Sequence, residues 1–271
     1  MDLGFRDRVV MVVGASRGIG AATARSLHAE GARLVLVARD AGALDAVQHA
    51  LPGDRASVLT VVADASRPGA IEAAVDLGLA RFGALHGLAV FAGPAGARAD
   101  LLAGGDDPWD RQYHGGLMVS VRACRAALPA LLRGPDGAIL LTAAYSVRAP
   151  KPSLPAYSAM KAAVASLAKG IALEHGGRGL RCNALAPGII LRDPPADAPT
   201  GAPAGDAADA ASADIPERAR YAEVLRTHGM RVALGRAGRR EEFAAVAAFL
   251  LSPRASYLTG ALLNVDGGTD F

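Results

Sequence analysis

The stretch VVMVVGASRGIGAATARSLHAEGARLVLVARD, residues 9–40, leaves this chain fewer folds than any other part of it. Val9–Val13 is a short apolar run, mostly β-branched, and reads as a strand buried on both faces. It runs straight into Gly14-x-x-x-Gly18-x-Gly20, with Ser16 and Ile19 inside the same turn. An alanine-rich helical pattern follows over Ile19–Glu30, then a second apolar run over Arg33–Ala38. Glycine is required where a chain turns sharply and where its backbone must approach another group closely. The start of the helix then offers free N–H groups and the positive end of its dipole to a phosphate. Strand, glycines, helix and second strand in this order predict a dinucleotide-binding unit rather than a mere tight turn.

The same rhythm continues. Candidate strands lie at Val58–Ala63, Leu88–Phe91, Ala138–Leu141, Arg181–Ala186 and Leu262–Val265. Candidate helices lie at Ala43–Ala50, Pro68–Phe82, Pro108–Leu132, Ala156–Glu174 and Glu241–Leu251. Alternating strands and helices predict an α/β fold of the Rossmann type, a doubly wound, seven-stranded parallel sheet with helices on both faces. The 271 residues are read as one dinucleotide-binding domain. One segment breaks the rhythm. Asp193–Pro216, DPPADAPTGAPAGDAADAASADIP, has almost no apolar anchor, and reads either as a mobile insertion or as a lid over a site.

Two positions address which nucleotide would bind. The second strand ends in Ala38-Arg39, where an acid would serve the ribose hydroxyls of NAD, and Arg17 lies inside the glycine turn. Two guanidinium groups favour a 2′-phosphate, hence NADP(H). Asp40, one residue on, is read as beginning the next turn or capping the following helix. Further along, Tyr157 and Lys161 stand four apart in a helical pattern, so they share a face. A phenol titrating near about 10 is a poor proton donor at neutral pH, and a neighbouring ammonium stabilises its anion. The pair therefore reads as machinery for passing a proton to or from a carbonyl or alcohol oxygen.

Other classes are disfavoured. The net charge of +3 is small, Lys151, Lys161 and Lys169 are the only lysines, and no basic run favours a nucleic acid. Cys124 and Cys182 sit in no metal-ligand spacing and read as buried free thiols, with no metal expected. No run approaches the about 18 apolar residues of a membrane span, and the N-terminus lacks a signal-peptide core. A cytoplasmic protein with a small-molecule substrate is expected.

These residues together resemble the short-chain dehydrogenase/reductase family, in the soluble branch that includes the ketoacyl-carrier-protein reductases. The resemblance rests on VGASRGIG, Tyr157-x-x-x-Lys161, NALAPG (183–188), LGRAGRREEFAAVAAFLLS (234–252) and ASYLTGALLNVDGG. It implies a nicotinamide cofactor and a homo-oligomer, usually a tetramer built on the two long central helices and the last strand. It implies that Asp64 lies near the adenine. It places Pro187, Gly188 and Ile190 beside the nicotinamide, and Lys161 on the nicotinamide ribose.

The sequence departs from the family pattern at several positions. The serine expected at the end of the fifth strand is Ala144, and the asparagine of the preceding helix is Gly116. Asn-Asn-Ala-Gly after the fourth strand reads Val90-Phe91-Ala92-Gly93, and a threonine past Gly188 reads Arg192. Loss of one oxyanion donor costs about 10²–10³ in rate. Tyr145, Ser146, Thr142, Ser153 and His114 are candidate replacements. The expected function is an NADPH-dependent carbonyl reductase with an atypical active site. A non-redox catalyst on the same scaffold, or a cofactor-binding partner subunit, stays open beside it. The small residues at 116 and 144 hint at a bulky substrate, an idea that fails if Tyr145 or Phe91 fills the vacated space.

Overall fold

The computed structural model describes residues 2–53, 55–96, 101–102, 104–150, 153–191 and 231–269. Its strands are β1 (Val9–Val13), β2 (Arg33–Ala38), β3 (Val58–Val62), β4 (Gly87–Val90), β5 (Ala138–Thr142), β6 (Arg181–Pro187) and β7 (Leu262–Val265). They form one parallel sheet in the order β3-β2-β1-β4-β5-β6-β7. The seven strands lie where the apolar runs placed them, within one residue at either end. Winding runs outward in both directions from β1 and β4, and that switch point opens a crevice beyond the strand ends.

Why the sheet is covered on both faces is visible in β1. Val9, Met11 and Val13 point into one core, and Val10 and Val12 into the other. The second core is closed by α1 (Gly18–Ala29), α2 (Ala41–Ala50) and α7 (Arg240–Leu251), through Leu27, Leu44 and Phe243. The first is closed by α3 (Ala70–Phe82), α5 (Met118–Leu131) and α6 (Pro155–His175), through Ile71, Cys124 and Val164. Small residues set the approach: a Cβ on Gly78 would stand 2.9 Å from Val35, so α3 lies directly on β2.

Three helices differ from expectation by two residues or more. The Ala43–Ala50 helix starts at Ala41, directly after its Asp40 cap. The Pro68–Phe82 helix starts at Ala70, because Gly69 takes a left-handed turn (φ +81°) at its N-cap. The Pro108–Leu132 helix is interrupted. A short α4 (Asp107–Gln112) passes through a π-helical turn, Tyr113–Leu117, before α5 begins. Gly115 and Gly116 supply the Cβ-free backbone that lets one wide turn interrupt a helix.

Arg192 and the Asp193–Pro216 segment lie outside the described residues. On either side the chain is pinned to the sheet end, Gly238 bridging Ile190 and Val232 bridging Thr269. The Arg236 guanidinium forks onto Glu242 at 2.6 and 2.8 Å, and the Arg239 N–H adds a bond of 2.8 Å. These bonds hold the Glu242 carboxyl down at about 2 and fix the start of α7. Both cysteines are buried and free; burial pushes the Cys124 thiol up to about 12 and raises Cys182 as well, so neither is reactive at neutral pH. Among the described residues no helix is long and apolar enough to cross a membrane, and no three metal-ligating side chains converge.

Candidate active site

The glycine turn is held by its neighbours. Past β1, the N–H groups of Gly14 and Ala15 both donate to the Val37 carbonyl, at 2.8 and 3.2 Å, which turns the chain off the sheet. Gly14 sits at φ +87°, and a Cβ there would stand 2.6 Å from the Ala92 nitrogen. A Cβ on Gly20 would stand 2.1 Å from the Gly14 carbonyl oxygen. Both glycines are therefore demanded by close approach. Gly18 differs: at φ +57° no described residue lies within 4 Å of its Cβ position. The Arg17 side chain, at the N-cap of α1, makes no cap bond, and the start of such a helix suits a phosphate.

Arg17 and Arg39 are both exposed, beside the turn and at the end of β2. Asp40 accepts from the Ala43 N–H at 3.0 Å as the N-cap of α2. That engagement is the one expected from its sequence position. Asp64, past β3, accepts from the Ser66 hydroxyl and N–H at 2.7 and 3.0 Å. Those bonds lower its carboxyl from the ordinary value, and the charges of Arg39 and Arg67 add to the effect. The ends of β2 and β3 thus form a basic rim around one acid.

At the other end of the crevice, Pro155 opens α6 at the first turn, where its missing N–H costs nothing. One turn on, Tyr157 is half-buried and Lys161 is buried. Lys161 Nζ donates to the Thr142 carbonyl at 2.8 Å and lies 5.8 Å from the Tyr157 ring centroid. Burial pulls its ammonium down to about 8. The loop after β4 lies on this pair. A Cβ on Gly93 would stand 4.0 Å from Lys161 Nζ, and one on Gly96 would stand 3.0 Å from Tyr157 Cγ. Ala92 reaches back to Gly14, so this loop joins the two ends of the crevice. Pro187 and Gly188 end β6, next to β5, and Gly188 packs so closely on Asp266 that a Cβ would stand 2.6 Å from it. Ile190 is held in its bridge to Gly238.

The structure separates the candidate replacements for the missing serine. Ala144 is extended and buried at the end of β5. The Thr142 hydroxyl is spent on the Val90 carbonyl at 2.7 Å. Ser146 is 1% exposed, and its Oγ is enclosed by protein without a hydrogen-bond partner. A hydroxyl facing an open cleft would be wetted, so Ser146 points inward. Tyr145 and Ser153 are half-buried, and His114 is exposed, edge-on to Tyr113 at 4.9 Å. Phe91 packs edge-on against Phe243 at 6.2 Å, in the core on the far side of the sheet from Lys161.

One polar residue escaped sequence reasoning. Gln112 is 3% exposed, and its Nε2 donates to the Ala95 carbonyl at 3.0 Å. Its Oε1 stands 3.5 Å from where a Cβ at Gly116 would be. An amide thus lies against the position where the family pattern has its asparagine. The available signal was the spacing of four between Gln112 and Gly116.

Residues 14–270 match the family described as enoyl-(acyl carrier protein) reductase. The chain is 34% identical over 268 residues to cis-4-hydroxycyclohexanecarboxylate dehydrogenase of Sinomonas cyclohexanicum, covering 99% of this chain and 98% of that one. Among solved structures it is similar to L-sorbose reductase from Gluconobacter frateurii, complexed with NADPH and L-sorbose. The TM-score there is 0.85 at 30% identity, over 99% and 98% of the two chains. It is also similar to a short-chain oxidoreductase from Pseudomonas aeruginosa PAO1 described as containing an atypical catalytic center. That match has a TM-score of 0.83 at 25% identity, over 97% of both chains.

Proposed function

Because the chain belongs to the short-chain dehydrogenase/reductase family, we propose that it is an NADPH-dependent oxidoreductase that reduces a carbonyl group through an atypical active site. The observation that carries this reading is the Tyr157–Lys161 pair, packed against the loop after β4, which also backs the glycine turn. Dehydrogenases and reductases among the relatives support the oxidoreductase class. The Pseudomonas structure supports the idea that this fold accommodates a departure from the usual centre.

The glycine turn, the start of α1 and the basic rim fit a dinucleotide phosphate. Gly14, Ser16, Arg17, Gly18, Ile19 and Gly20 would hold its diphosphate end. Asp64 would lie by the adenine, and Ala92, Gly93, Pro187, Gly188 and Ile190 would lie by the nicotinamide. When bound, the nicotinamide supplies the hydride. Tyr157 delivers the proton to the substrate oxygen. Lys161, still largely protonated at pH 7, stabilises the phenolate this leaves. One of its three N–H donors is spent on Thr142, which fixes Nζ beside the ring.

Arg17 and Arg39 are read as the 2′-phosphate contacts. Titration of the purified protein should show NADPH binding at least about tenfold tighter than NADH, since hydrogen bonds to charged groups contribute about 1.5–3 kcal/mol each. Arg39→Glu should remove or invert that preference. No binding of either nucleotide would sink the oxidoreductase reading; tighter NADH would sink the assignment of the arginines.

Ala144 is read as an empty donor position. Ala144→Ser should therefore raise kcat on a carbonyl probe such as cyclohexane-1,4-dione by about tenfold or more, up to about the 10²–10³ of a fully aligned oxyanion donor. An unchanged rate would show that a group already present holds the substrate oxygen.

A further inference from the structure

The loop Ala92-Gly93-Pro94-Ala95-Gly96 is fastened at four points. Gly93 faces Lys161 Nζ, and Gly96 lies against the Tyr157 ring. Pro94 stands 3.1 Å from the Cβ position of Gly115, in the π turn. The fourth point is the Gln112 amide on the Ala95 carbonyl, at 3.0 Å. Three of these are packing contacts and resist only compression. The Gln112 bond alone among the four is directional, and it crosses 17 positions of sequence.

Gln112 is not a filler. A buried amide that donates nothing costs about 1–3 kcal/mol, so an apolar side chain would serve better if packing were the whole task. It also ends α4 where the π turn begins, and such turns occur often at functional sites. Gly115 and Gly116 keep the turn clear for Pro94 and for the amide.

We propose that Gln112 is a positioning residue, whose amide clamps loop 92–96 onto Tyr157 and Lys161 and keeps water away from the Lys161 ammonium. The proposal rests on the reading of Tyr157 and Lys161 as the proton-handling pair. Without the amide, Ala95 loses its donor, the loop lifts, and Gly93 and Gly96 leave the pair. Water then reaches Nζ. Among the described residues, Tyr157 is the titratable group beside Lys161, and burial is what lowers its ammonium, so wetting returns it toward the ordinary 10.5.

The test follows Lys161 directly. The chain has three lysines, Lys151, Lys161 and Lys169, so NMR titration of protein carrying 13C-labelled lysine gives three assignable signals. Gln112→Met keeps the side-chain length and removes the amide. Gln112→Asn keeps an amide too short to reach Ala95. In both, Lys161 should titrate at least about one unit higher than in the parent protein. NADPH-dependent reduction of cyclohexane-1,4-dione should lose kcat more than KM, with its pH profile displaced the same way. Gly116→Asn added to Gln112→Ala should bring the lysine back down, since that Cβ meets only the removed glutamine. A lower melting temperature with Lys161 unmoved, in whichever variants fold, would make Gln112 structural and overturn the proposal. A displaced Lys161 in a protein that never turned over a carbonyl would uphold the clamp while sinking the proposed function.

Discussion

Tyr157→Phe is expected to lower kcat for NADPH-dependent carbonyl reduction by about 10³-fold, the middle of the range for a positioned general acid. The reasoning is subtractive. Thr142 has its hydroxyl committed to Val90, Ser146 points inward, and position 144 carries a methyl group. Among the described residues, Tyr157 then stands as the candidate with an ammonium 5.8 Å from its ring centroid and a half-buried side chain. The ring itself packs on Gly96, and phenylalanine keeps that contact, so the melting temperature and NADPH affinity should hardly change. Stopped-flow hydride transfer, with nucleotide titration beside it, reads the two separately. A variant retaining a tenth or more of parental turnover would mean that the proton comes from another group, with His114 or Tyr145 next in line.

The second large effect belongs to the glycine turn. Gly20→Ala should destabilise the fold by about 3 kcal/mol, the upper end for overpacking, and weaken NADPH binding at least about tenfold. The added methyl would overlap the Gly14 carbonyl oxygen, so either the turn opens or α1 shifts off the sheet. Gly18→Ala is the contrast. Its methyl meets no described residue within 4 Å, and the expected cost is that of the left-handed backbone, about 1–2 kcal/mol. Denaturant unfolding of the two variants against the parent gives the comparison. Equal stabilities for the two would show that the close approach at Gly20 yields without penalty, and that the turn is not the rigid cradle described above.

Much of this was legible in the chain. Val9–Val13 had to be a strand buried on both faces because no residue in it tolerates water, and the alternation of its side chains into two cores follows from period two. Asp40 capped α2 because the residue sits at the step from extended to helical backbone. The helix through Gly116 was less legible. Two adjacent glycines in an otherwise helical pattern can be tolerated, can end the helix or can widen it, and the packing of Pro94 on Gly115 accompanies the last outcome. Arg192 and the Asp193–Pro216 segment lie outside the described residues.

What the sequence determined by itself was whatever depends on neighbours in the chain. Strand period, the glycine turn and the spacing of Tyr157 and Lys161 are all of that kind. What only the tertiary structure decided was which polar groups are spent and which are free to act. The Thr142 hydroxyl is taken by a carbonyl 52 positions away, Lys161 is tied to one 19 positions away, and Gln112 reaches one 17 positions away. A side chain's direction is set by the surface it packs against, and for these groups that surface comes from distant parts of the chain.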